Sequence, residues 1–132
     1  MAEKTIAEKL LIKPGTSVWV SDDSRRALLG VMPPSVTTVD GPDTASTAVL
    51  FVDDAATVRA LFSAHHEHLL ASTNVWVLYP KGNKADINRD SLWPIVAEYG
   101  LRPITQVSVD ETWSALRFRP LREGEAPFTG GR

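Results

Sequence analysis

The sequence predicts a single three-layer α/β domain on a mainly parallel sheet of about six strands, closed by a C-terminal antiparallel hairpin. Three observations carry that reading. The runs Ala48–Val52 and Val75–Tyr79 are uninterrupted apolar residues, as in strands buried on both faces of a parallel sheet. Strand-like and helix-like segments alternate through most of the chain. The link Asp110-Glu111-Thr112-Trp113 is too short for a crossover helix, so the last strand must return antiparallel.

Taken in order, Ile6, Leu10 and Leu11 follow helical spacing, and a short helix is predicted over Thr5–Ile12, stopped by Lys13-Pro14-Gly15. Ser17–Val20 is β-branched and aromatic, hence the first strand. Asp22-Asp23-Ser24 caps a brief helix carrying Ala27, Leu28, Val31 and Met32, which Pro33-Pro34 stops. Val36–Val39 is a short second strand, closed by Asp40-Gly41-Pro42. After the third strand, Ala48–Val52, Asp53 or Asp54 caps the longest helix, which reaches about Ser72 with Val58, Leu61, Phe62 and Leu69 as its apolar stripe. Val75–Tyr79 is the fourth strand, and the polar loop Pro80–Asn88 leads into a helix with Leu92, Ile95, Val96 and Tyr99. Pro94 must sit in that helix's first turn or kink it, so Asp90 is the preferred cap, and Gly100 ends it. Ile104–Val109 and Ser114–Phe118 form the closing hairpin. One domain, 1–120, is expected, with a flexible tail over 121–132 where Gly, Pro and charge dominate.

Composition narrows the function classes. The 132 residues include no cysteine, which excludes disulfides, thiolate nucleophiles, zinc–thiolate sites and Fe–S clusters. A net charge of −2 offers no global attraction to nucleic acid or anionic membrane. No apolar run approaches the roughly 20 residues of a membrane-spanning helix, and the charged N-terminus lacks a signal peptide's pattern. A cytoplasmic location is the expectation.

Leu11-x-x-Pro14-Gly15-x-x-Val18 ahead of the first strand resembles the approach to the nucleotide loop in class I S-adenosylmethionine methyltransferases, and the closing hairpin is similar to theirs. The resemblance implies a Rossmann-like fold with sheet order 2-1-3-4-6-5, lacking the strand pair those enzymes carry in the middle. Nearly the whole chain before the tail also resembles a bacterial family of uncharacterised proteins, a domain of unknown function. The shared marks are Lys13-Pro14-Gly15, Trp76-Val77-Leu78-Tyr79-Pro80-Lys81, Asp86-Ile87-Asn88-Arg89-Asp90 and Val109-Asp110-Glu111-Thr112-Trp113-Ser114-Ala115-Leu116-Arg117-Phe118. That family implies no activity.

Four groups of residues could carry chemistry. A nucleotide site after the first strand needs glycines, so that backbone N–H groups can meet the ligand. Here Val20-Ser21-Asp22-Asp23-Ser24-Arg25-Arg26 has none until Gly30, and two carboxylates would repel a pyrophosphate, so no cofactor is expected. Asp40 does match the ribose-binding acid of the resembling enzymes, although an acid opening a Gly-Pro turn also has local uses. His65-His66-Glu67-His68 offers only an i,i+3 pair and no third ligand nearby. One half-buried histidine, His65, and two solvated ones are expected, with no metal.

The carboxyl ends of the strands form the third group: Asp22, Asp40, Asp53, Lys81 and the turn Asp110, Glu111, Thr112, Trp113. One lysine facing several carboxylates beside a Trp has the ingredients of a ligand crevice. The competing reading is that Lys81 neutralises the acids while Asp110 and Thr112 shape the hairpin. The fourth group is Arg102, Arg117, Arg119 and Arg122 near Trp113, which could bind single-stranded nucleic acid or an acidic partner, or only protect a sheet edge.

Together these observations point to a non-catalytic, Rossmann-like interaction or regulatory domain that has lost its cofactor loop and binds a protein partner or itself. The alternative is a small-molecule-binding protein or enzyme using the crevice near Lys81 and Trp113. A nucleic-acid accessory role is disfavoured by the acidic balance.

Overall fold

The computed structural model describes residues 6–30, 32–72, 74–81, 89–121 and 124. Within them run α1 (Ile6–Lys9), β1 (Ser17–Val20), β2 (Thr37–Val39), β3 (Thr47–Phe51), α2 (Ala55–Ala71), β4 (Asn74–Pro80), α3 (Arg89–Ala97), β5 (Leu101–Ser108) and β6 (Trp113–Pro120). The strands form one sheet in the order β2-β1-β3-β4-β6-β5. The strands β1 to β4 pair parallel, and β6 runs antiparallel to both β4 and β5. This is a mainly parallel sheet with an antiparallel C-terminal pair, in the order the resemblance implied.

Alternation along each central strand sends apolar side chains to both faces. On one face Trp19, Ala48, Leu50, Val52, Val75 and Val77 meet Val58, Phe62 and Leu69 of α2 and Leu92, Ile95 and Val96 of α3. On the other, Val18, Val20, Val49, Phe51, Trp76 and Leu78 lie beneath Ala7, Leu10, Ile12 and Leu29. Two cores on one sheet explain why β3 and β4 read as unbroken apolar runs. Each fully buried Val or Leu side chain stabilises by roughly 1.5–3 kcal/mol.

The layer over the second face is thin, and side-chain hydrogen bonds tie it down. The indole Nε1 of the buried Trp76 donates to the Leu10 carbonyl at 2.7 Å. Helix α1 ends sooner than expected, because Leu11 adopts φ +61°. Ile12 N then bonds Ala7 O at 3.0 Å and Leu11 N bonds Glu8 O at 3.1 Å. This is a Schellman stop with a leucine where glycine is usual.

Several local expectations are corrected. The element after β1 is a 3-10 helix, Asp23–Leu29, capped by Asp22 and stopped by Gly30 at φ +69°. With about three residues per turn, it buries Leu29 and leaves Leu28 exposed. Met32 lies beyond it, and Val31 lies outside the described residues. Of the two caps expected for α2, Asp53 or Asp54, the helix uses Asp54, which accepts from Thr57 N at 2.8 Å and Thr57 Oγ1 at 2.7 Å. Helix α3 starts at Arg89, so Asp90 falls in its first turn rather than at its cap, and Pro94 lies inside the helix. Asn88, the other cap considered, is outside the described residues.

Strand β5 starts earlier than expected, at Leu101, which is buried, and tolerates Pro103 because it is an edge strand with a register shift between Pro103 and Gln106. Of the expected tail, only Leu121 and Gly124 are described, and Leu121 N donates to Gly100 O at 3.0 Å. No helix of the described residues is long and apolar enough to cross a membrane.

Candidate functional site

Beyond β1 the chain closes upon itself. Ser21 N donates to Val49 O at 2.9 Å, and Ser21 Oγ accepts from Phe51 N at 2.8 Å. The Asp22 carboxylate then accepts from Ser24 N at 3.1 Å and from the Ser24 hydroxyl at 2.5 Å. Arg25 N is taken by Asp22 O at 3.0 Å. The Ser24 hydroxyl, foremost, holds the Asp22 carboxyl below its ordinary range; burial opposes this, and the Ser24 amide and the Arg25 charge add to the lowering.

Arg25 is the residue around which this edge is arranged. Its Nε lies 3.3 Å from Asp22 Oδ2, and its Nη2 lies 3.0 Å from Asp53 Oδ2. Its guanidinium sits 5.0 Å from the centroid of the Trp113 ring, and that ring meets Phe51 edge-on at 5.4 Å. Asp53 is available for this because Asp54 has taken the helix cap. One cation thus joins the ends of β1, β3 and β6. With half-exposed carboxylates each pair contributes only about 0.2–1 kcal/mol, and the cation–π contact about 0.5–1 kcal/mol.

The structure therefore brings Asp22, Asp53 and Trp113 together, but through Arg25 rather than Lys81. Lys81 follows β4 as expected, its N bonding Thr112 O at 2.8 Å, while its Nζ meets the neutral Ser108 hydroxyl at 2.5 Å. Among the described residues it makes no ion pair with the acids it was expected to neutralise. Asp110 shapes the hairpin, its Oδ1 accepting from the N–H groups of Thr112 and Trp113 at 2.8 Å each. Glu111 and Thr112 are exposed at the tip, and Asp40 is exposed just past the end of β2. Arg25 was missed, although its spacing of three residues from Asp22 across a short turn was a readable signal.

The other candidates separate. Arg117 lies not near Trp113 but opposite Trp76, where its Nη2 bonds Asn74 Oδ1 at 2.5 Å. Arg102 and Arg119 face each other across the β5–β6 pair, and Arg122 is outside the described residues. His65 stacks edge-on against Trp19 at 5.0 Å, as its place on the stripe predicts. His66 is half-buried as well, against expectation, with Nδ1 3.2 Å from the Phe62 carbonyl and its ring 5.9 Å from Tyr99. Only His68 is exposed, and no group of three metal-ligating side chains forms among the described residues.

No family model and no curated protein matches the chain. Solved structures do. A Streptococcus agalactiae protein of the NADB-Rossmann superfamily superposes with TM-score 0.59 at 8% identity, over 98% of this chain and 72% of that one. The Bacillus subtilis m1A22 tRNA methyltransferase TrmK gives TM-score 0.53 at 11% identity, over 92% and 68%. A Streptococcus pneumoniae protein solved with S-adenosyl-L-methionine gives 0.54 at 8%, over 98% and 77%. At these identities the likeness is one of fold: this chain has the Rossmann-like architecture of methyltransferases.

Proposed function

We propose that this chain is a methyltransferase-like scaffold that works without the cofactor, as a non-catalytic interaction or regulatory domain. The observation that carries the reading is the internal clasp at the end of β1. A nucleotide loop in such folds offers unpaired backbone N–H groups at a helix N-terminus. Here the amides of Ser21, Ser24 and Arg25 are already bonded within the chain, and Arg25 is drawn across the strand ends onto Trp113. A pyrophosphate or a nucleoside would have to displace those bonds and meet Asp22 and Asp53. The function left to the domain is recognition, of a protein partner or of a second copy.

A second reading is favoured by one observation. The Lys81 ammonium rests on a neutral hydroxyl and keeps its charge available near Trp113, as a receptor for a small anion would.

Thermal melts separate the two. A ligand at 100 times its dissociation constant adds about 2.7 kcal/mol of stability, readily seen as a melting shift. Under the first reading neither S-adenosylmethionine nor NAD raises the melting temperature saturably. A saturable rise with either would overturn it, and a rise with small anions that Lys81→Met abolishes would support the second.

A further inference from the structure

At the opposite end of the sheet, a cavity of about 270 Å3 opens where the α1–β1 connection passes the amino ends of β3 and β4. Its described walls supply two cations, Lys13 and Arg117, with the polar residues Thr16, Ser46, Thr47 and Asn74, and no carboxylate. Arg117 arrives from β6, antiparallel to β4 and opposite Trp76. Asn74, itself buried, holds one corner of its guanidinium. The Nε of Arg117 is buried and has no hydrogen-bond partner. Lys13 is exposed and makes no ion pair among the described residues, while its carbonyl accepts from both Thr16 N and Thr16 Oγ1, which closes the loop beside the cavity.

A half-buried guanidinium with an incomplete set of acceptors is costly unless negative charge reaches it. Across the sheet, Arg25 has two carboxylates; Arg117 has a neutral amide. Leu11 adds an apolar wall, held outward by its positive φ and 41% exposed. The cavity is close to the smaller end of pockets that take organic ligands.

We propose that this amino-edge cavity is a binding site for a small organic oxyanion. Phosphate or carboxylate oxygens would accept from Arg117 and Lys13, and a short organic body would lie against Leu11. The site is separate from the carboxyl edge and does not depend on the reading given there.

The test is an amide NMR titration of the full chain at constant ionic strength, with three probes: glycerol 3-phosphate, succinate and inorganic phosphate. At least one organic probe should move the amides of Thr16, Ser46, Thr47 and Asn74 saturably and raise the melting temperature. Lys13→Gln, at an exposed position that leaves the fold alone, should weaken that binding about tenfold, the size of one charge-assisted hydrogen bond. Arg117→Gln should abolish it; if that variant does not fold, Lys13→Gln decides. Glycerol 3-phosphate against succinate identifies the oxyanion. No saturable shift with any probe, an affinity unchanged in Lys13→Gln, or inorganic phosphate binding as tightly as the organic probes would overturn the proposal.

Discussion

Trp76→Phe probes the thin layer over the second face of the sheet. Trp76 is 1% exposed, and its indole N–H is the buried link between β4 and the end of α1. Phenylalanine keeps an aromatic ring but removes that donor. The Leu10 carbonyl is then left without this partner in a dry setting, at a cost of about 1–3 kcal/mol. The smaller ring leaves a void where the indole's second ring packed, costing roughly 1–2 kcal/mol more. A loss of about 3 kcal/mol is expected, lowering the melting temperature by about 10 °C in a domain of this size. Urea unfolding followed by far-ultraviolet circular dichroism measures it, with a lower midpoint at unchanged slope. Hydrogen exchange should also show the Leu11 and Ile12 amides losing protection, since their segment is no longer pinned. A loss below about 1 kcal/mol, with those amides protected as in wild type, would refute the reasoning.

Other outcomes follow from single contacts. Leu11→Gly should be at least as stable as wild type, because φ +61° strains a leucine by about 1 kcal/mol, whereas Leu11→Val should lose about that much; a clear loss in the glycine variant on urea unfolding would contradict the left-handed assignment. Lys81→Met should change stability by less than about 0.5 kcal/mol and show no coupling to Asp110→Asn in a double-mutant cycle, since the two groups hold different partners. Hydrogen bonds from the Thr57 hydroxyl and amide hold the Asp54 carboxyl below its ordinary value, and the Ser24 hydroxyl does so for Asp22. Their contribution is therefore complete above the unfolded pKa near 4 and is lost as pH falls through the lower folded values. The urea midpoint should drop between about pH 5 and pH 3, and Asp54→Asn, which keeps a capping oxygen but cannot titrate there, should flatten part of that slope.

The fold was legible because its signals are periodic or absolute. Unbroken apolar runs mark strands covered twice, as β3 and β4 are, and a four-residue link forbids a crossover, so β6 must turn back. The elements misjudged are those in which one residue's geometry decides. The 3-10 helix after β1 buries Leu29 where an α-helical period would bury Leu28, and Leu11 stops α1 in a conformation that composition does not encode. At the carboxyl edge the acids Asp22 and Asp53 and the ring of Trp113 were readable, because strand ends in such sheets converge. Which cation would meet them was not. Lys81 and Arg25 both lie within reach in sequence terms, and the choice turns on Asp54 rather than Asp53 capping α2. Arg117 was grouped with Trp113 by strand parity alone, which fixes the face but not the distance along it.

Arg25 lies across the ends of β1 and β3 onto Trp113, and on that contact the proposed loss of cofactor binding turns. Side-chain proton NMR observes this directly, by following the Arg25 δ and ε protons while S-adenosylmethionine is added. Ring-current shifts upfield and cross-relaxation to the Trp113 indole are expected, both unaltered at millimolar S-adenosylmethionine. Arg25 resonances at unstructured positions, or a saturable movement away from Trp113 as S-adenosylmethionine is added, would contradict the account.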